Sequence, residues 1–215
     1  MYGLVAIIDA PRLEDIEITL SDGPIFWLPK LCKFIDRIEM HKSHSRAHIL
    51  FSEDAISISL MHPGTPTCLK LELFCKSSSV QLYFMARICV DFSVFLLNVR
   101  VLRISATKPE WIERVPLERW LEILNSFSGV MCLQIDPEYL TSVVHALLLL
   151  ERRPQHVLPA LHKLYIPRFK HHAPVRMFVE SLIASRSISG HHIRVEFVES
   201  GVLGTHVAVP CSTTR

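Results

Sequence analysis

Three features of this 215-residue sequence predict an α/β chain arranged as a curved solenoid, with a parallel sheet on one face and helices on the other. The spacing apolar-x-x-apolar-x-apolar recurs at Val99/Leu102/Ile104, Val130/Leu133/Ile135, Leu161/Leu164/Ile166 and, more weakly, His192/Val195/Phe197, and the last members (104, 135, 166, 197) are 31 residues apart each time. The segments between these short triplets have helical spacing instead of alternation. The composition, 49% hydrophobic and 20% charged with 7 glycines, is that of a chain able to bury a large core. A short strand cannot cover its own apolar face, but a neighbouring module can, and strand-helix-strand repetition makes the neighbours parallel.

Taken in order, the template first fits Leu13/Ile16/Ile18, and an apolar periodicity over 27–37 predicts a first helix. A step of 31 from Ile18 reaches Ile49, inside the alternating run Ala47-Ile49-Phe51. A second alternating run, Ile56-Ile58-Leu60, follows the polar turn Ser52-Glu53-Asp54, so a β-hairpin insertion is expected near 46–61. A loop from Pro63 to Thr67 leads to Cys68/Leu71/Leu73, whose last member lies 24 residues after Ile49 and 31 before Ile104. Further helices are predicted over 79–95, at Leu117/Trp120/Leu121/Leu124 followed by Gly129, at Tyr139/Leu140/Val143/Val144/Leu147/Leu148, and at Val175/Phe178/Val179/Leu182/Ile183 closed by Gly190. Asp136-Pro137 marks one start, pairing a side-chain oxygen for orphan backbone donors with a pre-set φ in the first turn. Residues 1–199 read as one repeat domain with an incomplete N-terminal repeat, and 200–215 as a loosely ordered tail. The period is slightly longer than the ~20–29 residues of leucine-rich repeats and their asparagine is not apparent, so the domain is leucine-rich-repeat-like.

Side chains alternate along a strand, so the residue between the last two apolar anchors points away from the helices. That column reads Glu17, His48, Glu72, Arg103, Gln134, Tyr165 and Glu196; the next reads Asp15, Arg46, Lys70, Val101, Cys132, Lys163 and Arg194. A mixed-charge face carrying Tyr and Arg suits recognition of another protein, which makes Glu17, Glu72, Arg103, Gln134, Tyr165 and Glu196 the candidate contact residues. An ordinary solvated sheet face, polar because it must be, is the competing reading.

Other classes find little support. Lys plus Arg number 23 against 21 Asp plus Glu, a net charge of +2, so neither nucleic acid nor an anionic membrane surface is an expected partner. The longest apolar runs fall well short of the ~20 residues of a spanning helix, and Met1 to Ile8 lacks a signal peptide's basic flank. Six cysteines without a C-x-x-C pair read as reduced thiols of a cytoplasmic or nuclear protein. No Gly-rich phosphate loop, G-x-S-x-G elbow or H-E-x-x-H helix occurs. His41, His44 and His48 are spaced to approach one another, but no carboxylate or thiolate completes a metal set. His171-His172 and His191-His192 adjoin helix ends, where polar groups satisfy the backbone. No catalytic, cofactor-binding or metal-binding residue is assigned.

Several stretches carry a family resemblance: Ala10-Pro11-Arg12-Leu13-Glu14-Asp15-Ile16, Phe34-Ile35-Asp36-Arg37 leading to Ala47-His48-Ile49-Leu50-Phe51, Leu71-Glu72-Leu73-Phe74-Cys75, Trp120-Leu121-Glu122-Ile123-Leu124 with Phe127, Val157-Leu158-Pro159-Ala160-Leu161, and Phe178-Val179 through Ser189-Gly190-His191. From about residue 10 to about 199 the chain resembles the repeat region of a large group of fungal F-box proteins. The resemblance implies a non-enzymatic domain that selects substrates for a cullin-type ubiquitin ligase. In that group an F-box helix bundle docks onto a Skp-type adaptor. Here the chain opens inside a repeat at Met1-Tyr2-Gly3-Leu4, so adaptor binding is not expected and the partner is an unknown protein ligand. Two alternatives stand beside it: a small hydrolase or metal-dependent enzyme on an irregular α/β fold, which would show converging titratable groups in a pocket, and a truncated gene fragment with no independent function.

Overall fold

The computed structural model describes residues 16–21, 30–31, 33, 35, 44–62, 69–107, 116–150, 157–167 and 173–198. The expected tail at 200–215, the Pro63–Thr67 loop, Leu13, Asp15, His41 and the His171-His172 pair lie outside these residues. Eight strands are present among them: β1 (Ile16–Ser21), β2 (Arg46–Phe51), β3 (Ala55–Met61), β4 (Leu69–Phe74), β5 (Val101–Ala106), β6 (Cys132–Ile135), β7 (Lys163–Pro167) and β8 (Arg194–Val198). The helices are α1 (Ser78–Asp91), α2 (Ser93–Leu96), α3 (Leu117–Asn125), α4 (Pro137–Leu150) and α5 (Ala173–Ile188). The strands form one open sheet in the order β1-β4-β3-β2-β5-β6-β7-β8, parallel throughout except for β3, which is antiparallel to both neighbours.

From β5 to β8 the 31-residue step is the sheet register. Leu102 pairs with Leu133, Leu133 with Leu164 and Leu164 with Val195, while Arg103, Gln134, Tyr165 and Glu196 form the adjoining row. The hairpin also forms where the alternation placed it, tightened by Ser52, whose N–H donates to the Ala55 carbonyl at 2.8 Å and whose Oγ accepts from the Ala55 N–H at 3.1 Å.

Sequential stacking does not extend to the N-terminal half. Ile104 lies beside Ile49, not Leu73, and Ile18 lies beside Leu71, not Ile49. The cause is a chain-length constraint. Seven residues, 62 to 68, separate β3 from β4, too few for a parallel crossover, so the chain turns back and β2, β3 and β4 form an antiparallel meander. The return to the far side of β2 is then made through α1 and α2.

All strands present their apolar parity to the same side. Ala47, Ile49, Phe51, Ile56, Ile58, Leu60, Leu71, Leu73, Leu102, Ile104, Leu133, Ile135, Leu164 and Ile166 are buried there under a layer in which α1 packs on α3, α3 on α4 and α4 on α5. Each helix buries one stripe: Leu82, Met85, Ala86 and Cys89 on α1, Trp120, Ile123 and Leu124 on α3, Leu140, Val143, Val144 and Leu147 on α4. The predicted single helix over 79–95 is interrupted at Phe92, between α1 and α2. Leu31 and Ile35, both helical, also belong to the core.

Three polar devices fix the connections. Gln81 on α1 donates Nε2 hydrogen bonds to the carbonyls of Ser52 (2.8 Å) and Cys75 (2.7 Å), tying the helix to the hairpin turn and to the end of β4. Arg186 on α5 is fully buried and donates to the carbonyls of Val157 and Leu158, in a loop that no ladder satisfies. Gly190, at φ +79°, ends α5 in the left-handed region where a side chain would be strained.

Candidate recognition face

The residues between the buried anchors project to the side away from the helices, and the strand register arranges them in rows. The central row runs across all eight strands as Glu17, Lys70, Ser59, His48, Arg103, Gln134, Tyr165 and Glu196. Five of the six candidate contact residues therefore share one row. Glu72 does not: the meander shifts β4 by two positions, so Lys70 occupies the predicted place of Glu72, and Glu72 lies one row further on, between Thr19 and Ser57. In the third row Arg46, Val101, Cys132, Lys163 and Arg194 follow the predicted order, without Lys70.

At the β1 end, Lys70 Nζ donates to Glu17 at 2.7 Å and to Glu72 at 3.5 Å. These hydrogen bonds, the one to Glu17 foremost, hold the ammonium above its ordinary pKa. The pairs are solvent-accessible, and such ion pairs contribute little to stability. Their value here is positional, since they display an acid-base-acid triplet on one patch.

The centre of the row is drier. His48 pairs with Arg103 across the β2/β5 boundary, and its Nε2 shares a hydrogen bond with Ser105 Oγ. Burial, assisted by the Arg103 guanidinium, lowers the His48 pKa from 6.5 to about 4, so the ring is neutral at physiological pH. Burial likewise raises the Asp136 carboxyl, opposed by Arg103 and by a backbone hydrogen bond at Ala106. Arg103 thus lies between a neutral imidazole and a carboxyl, and its Nε is buried with no hydrogen-bond partner among the described residues.

Burial varies along the row. Glu17 is exposed and His48, Lys70, Glu72, Arg103 and Glu196 are half-buried, whereas Gln134 and Tyr165 are 9% and 5% exposed. The first group can meet a partner; Gln134 and Tyr165 form the floor between Arg103 and Glu196.

The Ser105-His48 contact invites a nucleophilic reading, but the chemistry is wrong for it. Ser105 is only 3% exposed, no carboxylate among the described residues orients the ring, and a pKa near 4 leaves His48 a weak base at neutral pH. Among the described thiols, burial raises Cys75 to about 11 and Cys89 further. Among the described residues no cluster of three or more His, Cys, Asp or Glu could hold a metal, and no helix is long and apolar enough to cross a membrane.

Ser59, Ser105 and Asp136 are the site members that column-reading from the sequence missed, and Lys70 it placed one row away. The signal for Lys70 was present in the short β3/β4 connection, which dictates the meander and hence the shift. Compared with protein-family models, curated proteins and solved structures, the chain matches none.

Proposed function

We propose that this chain is a non-enzymatic protein-recognition domain, leucine-rich-repeat-like over its C-terminal modules, acting in the cytoplasm or nucleus as the substrate-binding part of a fungal F-box protein does. The observation that carries the proposal is the polar row running in register across the eight described strands on the face opposite the described helices, with Glu17, Lys70, His48, Arg103 and Glu196 exposed or half-buried. Its mixed charge, acidic at both ends and basic between, favours a partner with a complementary mosaic over one with a single strong sign, such as a nucleic acid. Arg103 is the expected anchor, because its half-buried side chain stands at the centre of the row beside His48, and Arg is common among interface anchors.

The test is affinity capture with three versions of the chain: wild type, the row variant Lys70→Glu/Arg103→Glu, and the helix-face control Arg176→Glu, whose site on α5 is exposed. The proposal expects one reproducible protein bound by wild type and control and lost by the row variant. Equal capture by the row variant, or loss confined to the control, would contradict it. Probing the same eluates for a Skp-type adaptor reports separately on a link to ubiquitin ligases.

A further inference from the structure

The outer edge of β8 is the least finished part of the sheet. Phe197 occupies the position of Ile104, Ile135 and Ile166, which are 0%, 1% and 1% exposed under the modules that follow them, yet Phe197 is 58% exposed. Among the described residues no strand pairs with the outer side of β8, and the helix layer stops short of covering Phe197, so backbone donors and acceptors and an apolar side chain are presented together.

The sequence of β8 says what fits there. A second copy can add to this edge antiparallel, about a two-fold axis perpendicular to the sheet, and opposed residues then lie on the same face. Centring the axis on Arg194 opposes two arginines, and centring it on Glu196 opposes two glutamates. Centring it on Val195 places Arg194 opposite the partner copy's Glu196 and Glu196 opposite the partner copy's Arg194, while Phe197 meets the partner copy's Ile193 on the apolar side. Of the three, only that register is charge-complementary.

We infer that β8 is a self-association edge, pairing antiparallel with β8 of a second copy about Val195. Both helix layers then lie on one side and both polar faces on the other, so the rows of the two copies join into one surface. This goes beyond the recognition reading and does not depend on it.

The test is analytical ultracentrifugation of the full chain over a range of concentrations, with Arg194→Glu, Glu196→Arg and the exchange Arg194→Glu/Glu196→Arg. Wild type is expected to form a concentration-dependent dimer. Each single reversal sets two like-charge pairs opposite one another and should weaken it roughly tenfold or more. The exchange restores both pairs and should recover dimerisation to within a few-fold of wild type. Circular dichroism checks that each variant is folded; the substituted side chains are exposed (Arg194) and half-buried (Glu196), so neither occupies the core. A monomer at every concentration overturns the inference. So do growth beyond dimer, indifference to the single reversals, or failure of the exchange to recover association.

Discussion

Truncating the column Ile104, Ile135, Ile166 and Phe197 to alanine one residue at a time tests whether these positions are equivalent rungs of one sheet. The three isoleucines are 0%, 1% and 1% exposed, so each loses three carbons from a sealed site. At ~0.8 kcal/mol per buried methylene this is about 2.4 kcal/mol of transfer energy, and incomplete collapse of the cavity brings the expected cost to about 3 kcal/mol. For a chain of this size that corresponds to a fall in Tm of roughly 6–12 °C. Phe197, at 58% exposure, has already left most of its surface in water, so its truncation should cost about 1 kcal/mol or less in dilute solution, where β8 is unpaired. Urea unfolding, read as midpoints at unchanged m, measures all four. The reasoning fails if Phe197→Ala costs as much as Ile135→Ala, or if any of the three isoleucine variants costs under 1 kcal/mol.

Two further predictions follow from the packing and the electrostatics. The folded state binds a proton at His48 more weakly than the unfolded chain does, with a pKa of about 4 against 6.5, so its contribution to stability is full above pH 6.5 and is lost as pH falls from 6.5 towards 4, by up to ~1.4 kcal/mol per unit. His48→Gln should therefore lose less stability than wild type between pH 7 and pH 5 in urea titrations; equal losses would refute the assignment. At Gly129 an added Cβ would press on the carbonyl oxygen of Leu97 and lie 3.2 Å from that of Val99, so Gly129→Ala should destabilise by about 1–3 kcal/mol and lower Tm more than Gly190→Ala, where the Cβ meets open space and only the positive φ resists. The reverse order would refute the close approach.

Much of the C-terminal half was legible because each local signal agreed with the global one. The period, the Asp136-Pro137 start and the Gly190 stop all describe modules that neighbour one another in sequence and in space. The N-terminal half was harder, because periodicity is blind to strand order: Leu73 and Ile104 keep the 31-residue step while β3 and β2 lie between them. Connection length held the missing information. Of the site, the row from Arg103 to Glu196 was readable from alternation alone, whereas Lys70, Ser105 and Asp136 enter it only through register and strand neighbours. The depressed pKa of His48 was not readable, since it arises from burial and from Arg103 on a strand 55 residues away.

The account rests on β5 lying beside β2 and not beside β4, since this alone brings His48 and Arg103 together at the centre of the polar row. Thiol cross-linking with a short bifunctional reagent and peptide mapping addresses it directly. The pair His48→Cys/Arg103→Cys sits one strand spacing apart, about 5 Å, and should cross-link within the monomer; Glu72→Cys/Arg103→Cys sits three spacings and one row apart, about 16 Å, and should not. Cross-linking of the second pair in preference to the first would return the strands to sequential order and dismantle the row.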